Sequence, residues 1–165
     1  MAGDETMVDG MIAAAVAAGD AILSIYATDF ASRAKADDSP VTAADEKAEA
    51  IILEALAKIA PGVPVVAEEA VAAGRCPEIG DRFFLVDPLD GTKEFISRNG
   101  EFTVNIALVD GGAPTAGVVY APALGRIFAG FGGIARQATV TDGRVRAFTP
   151  IAVRPIPAGG LTVVG

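Results

Sequence analysis

Apolar residues at helical spacing mark the start of the chain. From about Asp4 to Phe30, Met11, Ile12, Val16, Ile22, Leu23 and Tyr26 recur in an Ala-rich background, which predicts a long first helix with one face toward a core. Gly10 and Gly19 sit inside that stretch and weaken the pattern. Ser32 to Pro40 is polar, ends on proline and reads as a loop. A second helix is expected from about Thr42, where Thr42 and Asp45 approximate a capping box. Ala48, Ile51, Ile52, Leu56 and Ile59 continue it at helical spacing until Pro61-Gly62.

Beyond Gly62 the period shortens to two. Val63–Ala67 and Arg82–Val86 are compact strand candidates, and Phe102, Val104, Ile106 and Leu108 alternate with Thr103, Asn105, Ala107 and Val109 in a longer one. Gly111-Gly112 and Pro122 bracket a strand over Thr115–Ala121, and another spans Arg126–Phe131. Asp142-Gly143 between Val140 and Val145 signals a hairpin. The pattern predicts an α+β (layered α/β) domain over residues 1–165, with two N-terminal helices packed on a largely antiparallel sheet. Gly160 to Gly165 reads as a buried strand cut off as it begins, so the chain is expected to continue.

Composition narrows the chemistry. The chain has 165 residues, enough for one domain with a core, and is 52% hydrophobic, which is high for a small domain. That surplus suggests apolar surface meant for more chain or for another subunit, so a homo-oligomer stays open. There is no histidine and one cysteine, Cys76, which sets aside a structural zinc site and the histidine-based triads. A bound metal would need oxygen ligands and hence be a hard cation such as Mg²⁺. A single cysteine forms no internal disulfide and fits a reducing cytoplasm. The first residues lack the basic region of a secretory signal, and Asp20 interrupts the apolar run, so no membrane span is expected. A net charge of −8 argues against a nucleic acid polymer as partner, but not against a small phosphate ester with a divalent cation.

Three acidic clusters lie at the predicted element ends: Asp45, Glu68-Glu69, and Asp87 with Asp90 in Asp87-Pro88-Leu89-Asp90-Gly91-Thr92. Two carboxylates three apart on a tight turn can converge on cations, with the Leu89 carbonyl between them. Gly91 permits close backbone approach, and Thr92 can open a short helix through Ser97 whose N–H groups suit a phosphate. Singly, each cluster has a plain reading: Asp-Pro and Asp-Gly as turn residues, Asp45 as a capping acid, Glu68-Glu69 as a solvated pair. Their joint occurrence in order favours a site.

These segments resemble the signature of the Mg²⁺-dependent, lithium-sensitive inositol monophosphatase superfamily, over nearly the whole chain from Lys35 to Val164. Ser39 to Asp45 and Lys93-Glu94-Phe95 look most like its 3′(2′),5′-bisphosphate nucleotidase branch, which hydrolyses adenosine 3′,5′-bisphosphate from sulfate assimilation to AMP and phosphate. The resemblance implies the N-terminal part of that sugar-phosphatase fold. It implies that Glu68, Asp87 and the Leu89 carbonyl hold one Mg²⁺, and that Asp87 and Asp90 hold a second. Asp45 and Thr92 would orient and deprotonate the attacking water, and the Gly91 and Thr92 N–H groups would bind phosphate. Glu69, Lys35 and Asp38 fall in matching segments as secondary positions, the last two near a third cation.

The family's later Trp-Asp motif, which supplies a ligand of the second cation, has no counterpart in a chain without tryptophan. The segments that hold the second phosphate and the adenine are missing as well, so the 165-residue chain alone is expected to be weakly active or inactive. Two further readings stay open: an inositol or other sugar-phosphate phosphatase of the same superfamily, and a non-catalytic metal-binding or interaction module.

Overall fold

The computed structural model describes residues 2–28 and 43–160. Helix α1 (Ala2–Tyr26) and helix α2 (Ala43–Ile59) pack against each other and against one face of an eight-stranded sheet. The sheet runs β1 (Val65–Ala67), β2 (Arg82–Asp90), β3 (Thr103–Asp110), β4 (Ala113–Ala121), β5 (Arg126–Phe131), β6 (Ile134–Thr141) and β7 (Arg144–Val145), with β8 (Thr149–Pro150) also on β6. Among the described residues, only the β1–β2 pairing is parallel. The expected helices-on-antiparallel-sheet architecture is therefore present. Between β1 and β2 lies the short helix α3 (Glu68–Ala72), and between β2 and β3 the short helix α4 (Thr92–Ser97).

The sequence expectations differ from the fold at the ends of elements and in leaving out α3 and β6. Helix α1 stops at Tyr26, while Phe30 and the expected cap Thr42 lie outside the described residues. The segment after Gly160, read as a cut-off strand, also lies outside them. Strand β2 does not end at Val86 but runs on to Asp90. The hairpin at Asp142-Gly143 forms as expected, with both residues at positive φ.

Side-chain alternation divides the sheet. Phe84, Val86, Val104, Ile106, Val118, Tyr120 and Ile127 point toward the helices and are buried. They meet Val8, Met11, Ala15, Ile22, Ala48, Ile52 and Leu56 in one core. The two helical glycines are where this packing is tightest. A Cβ at Gly10 would stand 2.8 Å from Ile59 of α2, and one at Gly19 only 2.2 Å from the ring of Tyr120. Their helix-weakening effect is offset by close approach of α1 to its neighbours.

Helix α1 also bears on the expectation of no membrane span. Glu5–Tyr26 is, by length and composition, long and apolar enough to cross a membrane. Asp20 alone does not bring it below that threshold. In the fold, much of its apolar face is already covered by α2 and β4.

Neither α1 nor α2 covers the opposite face of the sheet, and the short helix α3 stands at one side of it. Leu85 is 50% exposed and Val119 42% exposed there. An open apolar groove of about 640 Å³ runs across it between Val71, Leu85 and Val119, with Glu68 and Asp87 among its lining residues.

Candidate metal and phosphate site

The site grows out of an irregularity in β2. Asp87 pairs with Asn105 and Asp90 with Thr103, so three steps on β2 face two on β3. That is a β-bulge, which bends the strand and re-aims side chains. Pro88 occupies the bulge, where a missing N–H costs no ladder bond. The bulge delivers Asp87 and Asp90 to the same end of the strand, beside α3.

At Asp90 the chain turns sharply. Gly91 is the N-cap of α4 in the left-handed region (φ 92°), and a Cβ there would lie 2.9 Å from the Glu101 carbonyl oxygen. Any other residue would be strained and obstructed at once. The Thr92 hydroxyl donates to the Leu89 carbonyl at 3.3 Å, tying the helix start back to the bulge. Beneath this turn, Phe95, Phe102 and Tyr26 pack ring against ring with centroids 5.1–5.2 Å apart. The guanidinium of Arg98 covers Tyr26 and donates to the Tyr26 carbonyl at 2.8 Å and to the Thr28 carbonyl. A rigid aromatic base thus supports Gly91 and Thr92.

Glu68 is the first residue of α3, directly after β1, and β1 lies beside β2. Asp87 titrates at about 7: burial contributes most, followed by the charges of Glu68 and Asp90 and a hydrogen bond with Glu68. A backbone hydrogen bond from Leu89 opposes the shift. The Asp87 Oδ1 atom is buried without a hydrogen-bond partner among the described residues. A buried acceptor with no donor, crowded by two more acids, is an arrangement that a cation would relieve. Hence the donor set fits a hard divalent metal, although no three acidic side chains among the described residues already converge on one point.

Asp45 lies in the first turn of α2 and is only 3% exposed, which a solvated capping acid would not be. Glu69 turns its N–H toward α2. Lys35 and Asp38 lie outside the described residues. Two polar contributors went unread in the sequence. Asn105 donates its side-chain amide to Asp90 at 3.2 Å, and its place opposite Asp87 on β3 was its only signal. Glu49, 5% exposed, accepts the backbone N–H groups of Glu69 and Ala70 at 2.9 and 3.3 Å. Its signal was an acid one turn after Asp45 within the apolar stripe of α2.

Residues 4–154 match the model of the inositol monophosphatase family. The chain belongs to that family. Among curated relatives, it is 49% identical over 137 residues to the 3′(2′),5′-bisphosphate nucleotidase CysQ of Salmonella typhimurium, covering 77% of this chain and 56% of the relative. To CysQ of Escherichia coli (strain K12) it is 46% identical over 150 residues, covering 84% and 60%. The solved CysQ from Bacteroides thetaiotaomicron superposes with a TM-score of 0.66 at 43% identity, covering 80% of this chain and 48% of that one. An inositol monophosphatase from Zymomonas mobilis gives a TM-score of 0.68 at 28% identity, covering 91% and 53%. The chain therefore spans about half the length of the family members it matches. Family membership and layered fold agree with the reading of the Asp87–Thr92 segment as an inositol monophosphatase signature.

Proposed function

We propose that the chain is the N-terminal part of a Mg²⁺-dependent 3′(2′),5′-bisphosphate nucleotidase, and that it carries the water-activating and much of the metal-binding half of the active site. The observation that carries this reading is the bulge that gathers Asp87 and Asp90 beside Glu68 around a buried, unpartnered carboxylate oxygen. The identity to CysQ relatives, 46–49% against 28% for the Zymomonas inositol monophosphatase, favours the nucleotidase branch over an inositol or other sugar-phosphate phosphatase.

Glu68, Asp87, Asp90 and the Leu89 carbonyl would hold two Mg²⁺ ions, with a third near Lys35 and Asp38. Bound there, Mg²⁺ would acidify water and neutralise charge on the phosphate. Asp45, withdrawn from solvent on α2, accepts the proton of the attacking water, and the Thr92 hydroxyl orients that water. Gly91 and Thr92 present the first backbone N–H groups of α4, which have no acceptor within the helix, to the phosphate oxygens. Attack forms a phosphorus–oxygen bond to water and breaks the bond to the ester oxygen, which leaves as the alcohol after taking a proton. Adenosine 3′,5′-bisphosphate would thus give AMP and phosphate. Glu69 and Asn105 act one layer behind, through α3 and through Asp90. A single cysteine, exposed at position 76, is compatible with a cytoplasmic enzyme.

The test is phosphate release by the natural full-length protein, with Mg²⁺ and with or without Li⁺, from adenosine 3′,5′-bisphosphate and from inositol phosphate. Release from the nucleotide, inhibited by Li⁺, is expected. Preference for inositol phosphate would move the protein to the sugar-phosphatase branch, and release from neither would leave the binding-module reading. The isolated 165-residue chain should show little turnover.

A further inference from the structure

The short helix that presents Glu68 lacks a cap of its own. Its N-cap residue is Ala67, extended at φ −120° and ψ 142°, whose methyl side chain makes no capping hydrogen bond. The N–H groups of Glu69 and Ala70 are the second and third of that helix, the two that an N-cap side chain normally satisfies. Both are instead met by Glu49, twenty residues upstream in sequence, through the single oxygen Oε2. Glu49 is buried among Ala48, Ile52 and the rest of the apolar face of α2. A carboxylate is costly to bury, and these backbone donors offset the cost.

Glu49 follows Asp45 by four residues, so the two buried acids stand one helical turn apart on the same side of α2. One rigid helix face therefore places Asp45 and also grips the backbone that carries Glu68. The dimensions of the site between α2 and β2 depend on that grip, because α3 has only five residues and none of them is buried.

We infer that Glu49 is a positioning residue of the metal site: acting as a cap supplied from α2, it fixes the turn bearing Glu68 relative to Asp45 and Asp87. This rests on the phosphatase reading for its consequence, since Glu68 is there a metal ligand. The capping itself does not. Glutamine keeps a carbonyl oxygen that can accept both N–H groups, whereas methionine keeps the length and loses the acceptor. Ala67→Ser would restore a cap from the usual position, where the backbone is already extended.

The experiment uses the 165-residue chain with three variants: Glu49→Gln, Glu49→Met, and Glu49→Met combined with Ala67→Ser. Mg²⁺ binding is followed by calorimetry, with Asp87→Asn as a reference for loss of the site. Amide hydrogen exchange at Glu69 and Ala70 is followed without metal. Glu49→Met should weaken Mg²⁺ binding about tenfold or more, the scale on which supporting partners of metal ligands act. It should also speed exchange at both amides. Glu49→Gln should stay within about threefold of the parent in affinity, and the serine variant should recover part of the loss. Unchanged exchange in a folded Glu49→Met protein would overturn the capping role. Faster exchange with unchanged Mg²⁺ affinity would overturn the positioning role. If the parent and Asp87→Asn bind Mg²⁺ equally, the metal reading fails, while the exchange data still decide the cap. Should Glu49→Met not fold, a Glu49→Gln protein with parental exchange and affinity, together with recovery of folding by Ala67→Ser, supports the cap. Loss of Mg²⁺ binding in Glu49→Gln despite parental exchange would show that the carboxylate charge matters and the cap does not.

Discussion

The two faces of the sheet are made from the same strands and serve different ends. On β2, Phe84 and Val86 face the helices and are buried, while Leu85 and Asp87 face the other way. The helix side is filled so closely that two positions of α1 tolerate only glycine's volume. The other side combines half-exposed apolar residues with the acids and with Asn105. Stability is concentrated on one face and most of the acids at the end of the other, and α2 joins the two through its buried Asp45 and Glu49.

This division gives its largest expected effect in catalysis. Asp90→Asn in the full-length protein should abolish Mg²⁺-dependent turnover yet leave the protein folded, since Asp90 is exposed and belongs to no core contact. Near-normal activity, measured by phosphate release, would remove Asp90 from the metal site and break the assignment of chemistry to this face.

Adjacent residues of β2 offer the most direct stability comparison. Phe84→Ala should cost about 3–5 kcal/mol, because the ring is fully buried beneath the helices. Leu85→Ala, one residue on and half exposed, should cost under about 1.5 kcal/mol. Urea unfolding of the two variants reads the difference directly, and similar losses would mean that the open face also bears the fold. A sharper version lies on α1. Gly19→Ala improves helix propensity by about 1 kcal/mol, yet its methyl would lie 2.2 Å from Tyr120. The clash should win, giving a net loss of about 1–3 kcal/mol. A stabilised Gly19→Ala protein would show that α1 can lift off the sheet without penalty.

Much of this division was legible in the sequence because it follows from periodicity. The alternation from Phe102 to Val109 sorted that strand's residues onto two faces, and the helical spacing of Ile52 and Leu56 aimed α2 at the core. What was not legible depended on contacts distant in sequence. Strand β2 was read as ending at Val86 since Asp87-Pro88 is ordinary turn chemistry, and only pairing with β3 converts it into a bulge. Gly10 and Gly19 looked like interruptions until Ile59 and Tyr120 were in place against them. Glu49 went unread, because the groups it satisfies are backbone N–H groups twenty residues away.

The smallest effect expected is on the pH dependence of stability, and it concerns Asp87 alone. Without metal its folded pKa of about 7 lies above the ordinary value of 3.8, through burial and the neighbouring Glu68 and Asp90 charges. The folded state thus binds this proton more tightly than the unfolded chain. Its contribution to stability is complete below about pH 4 and is lost as pH rises through about 7. Partial access to water makes that contribution modest. Asp87→Asn removes the titration while keeping the shape, so the parent should lose stability relative to this variant between about pH 4 and pH 7. Mg²⁺ favours the ionised carboxylate, so at pH 8 it should raise the thermal midpoint of the parent and leave that of Asp87→Asn nearly unmoved. Parallel melting curves for the two proteins across that range, with and without Mg²⁺, would show that the carboxylate on the open face is an ordinary surface acid and that the two faces differ in packing only.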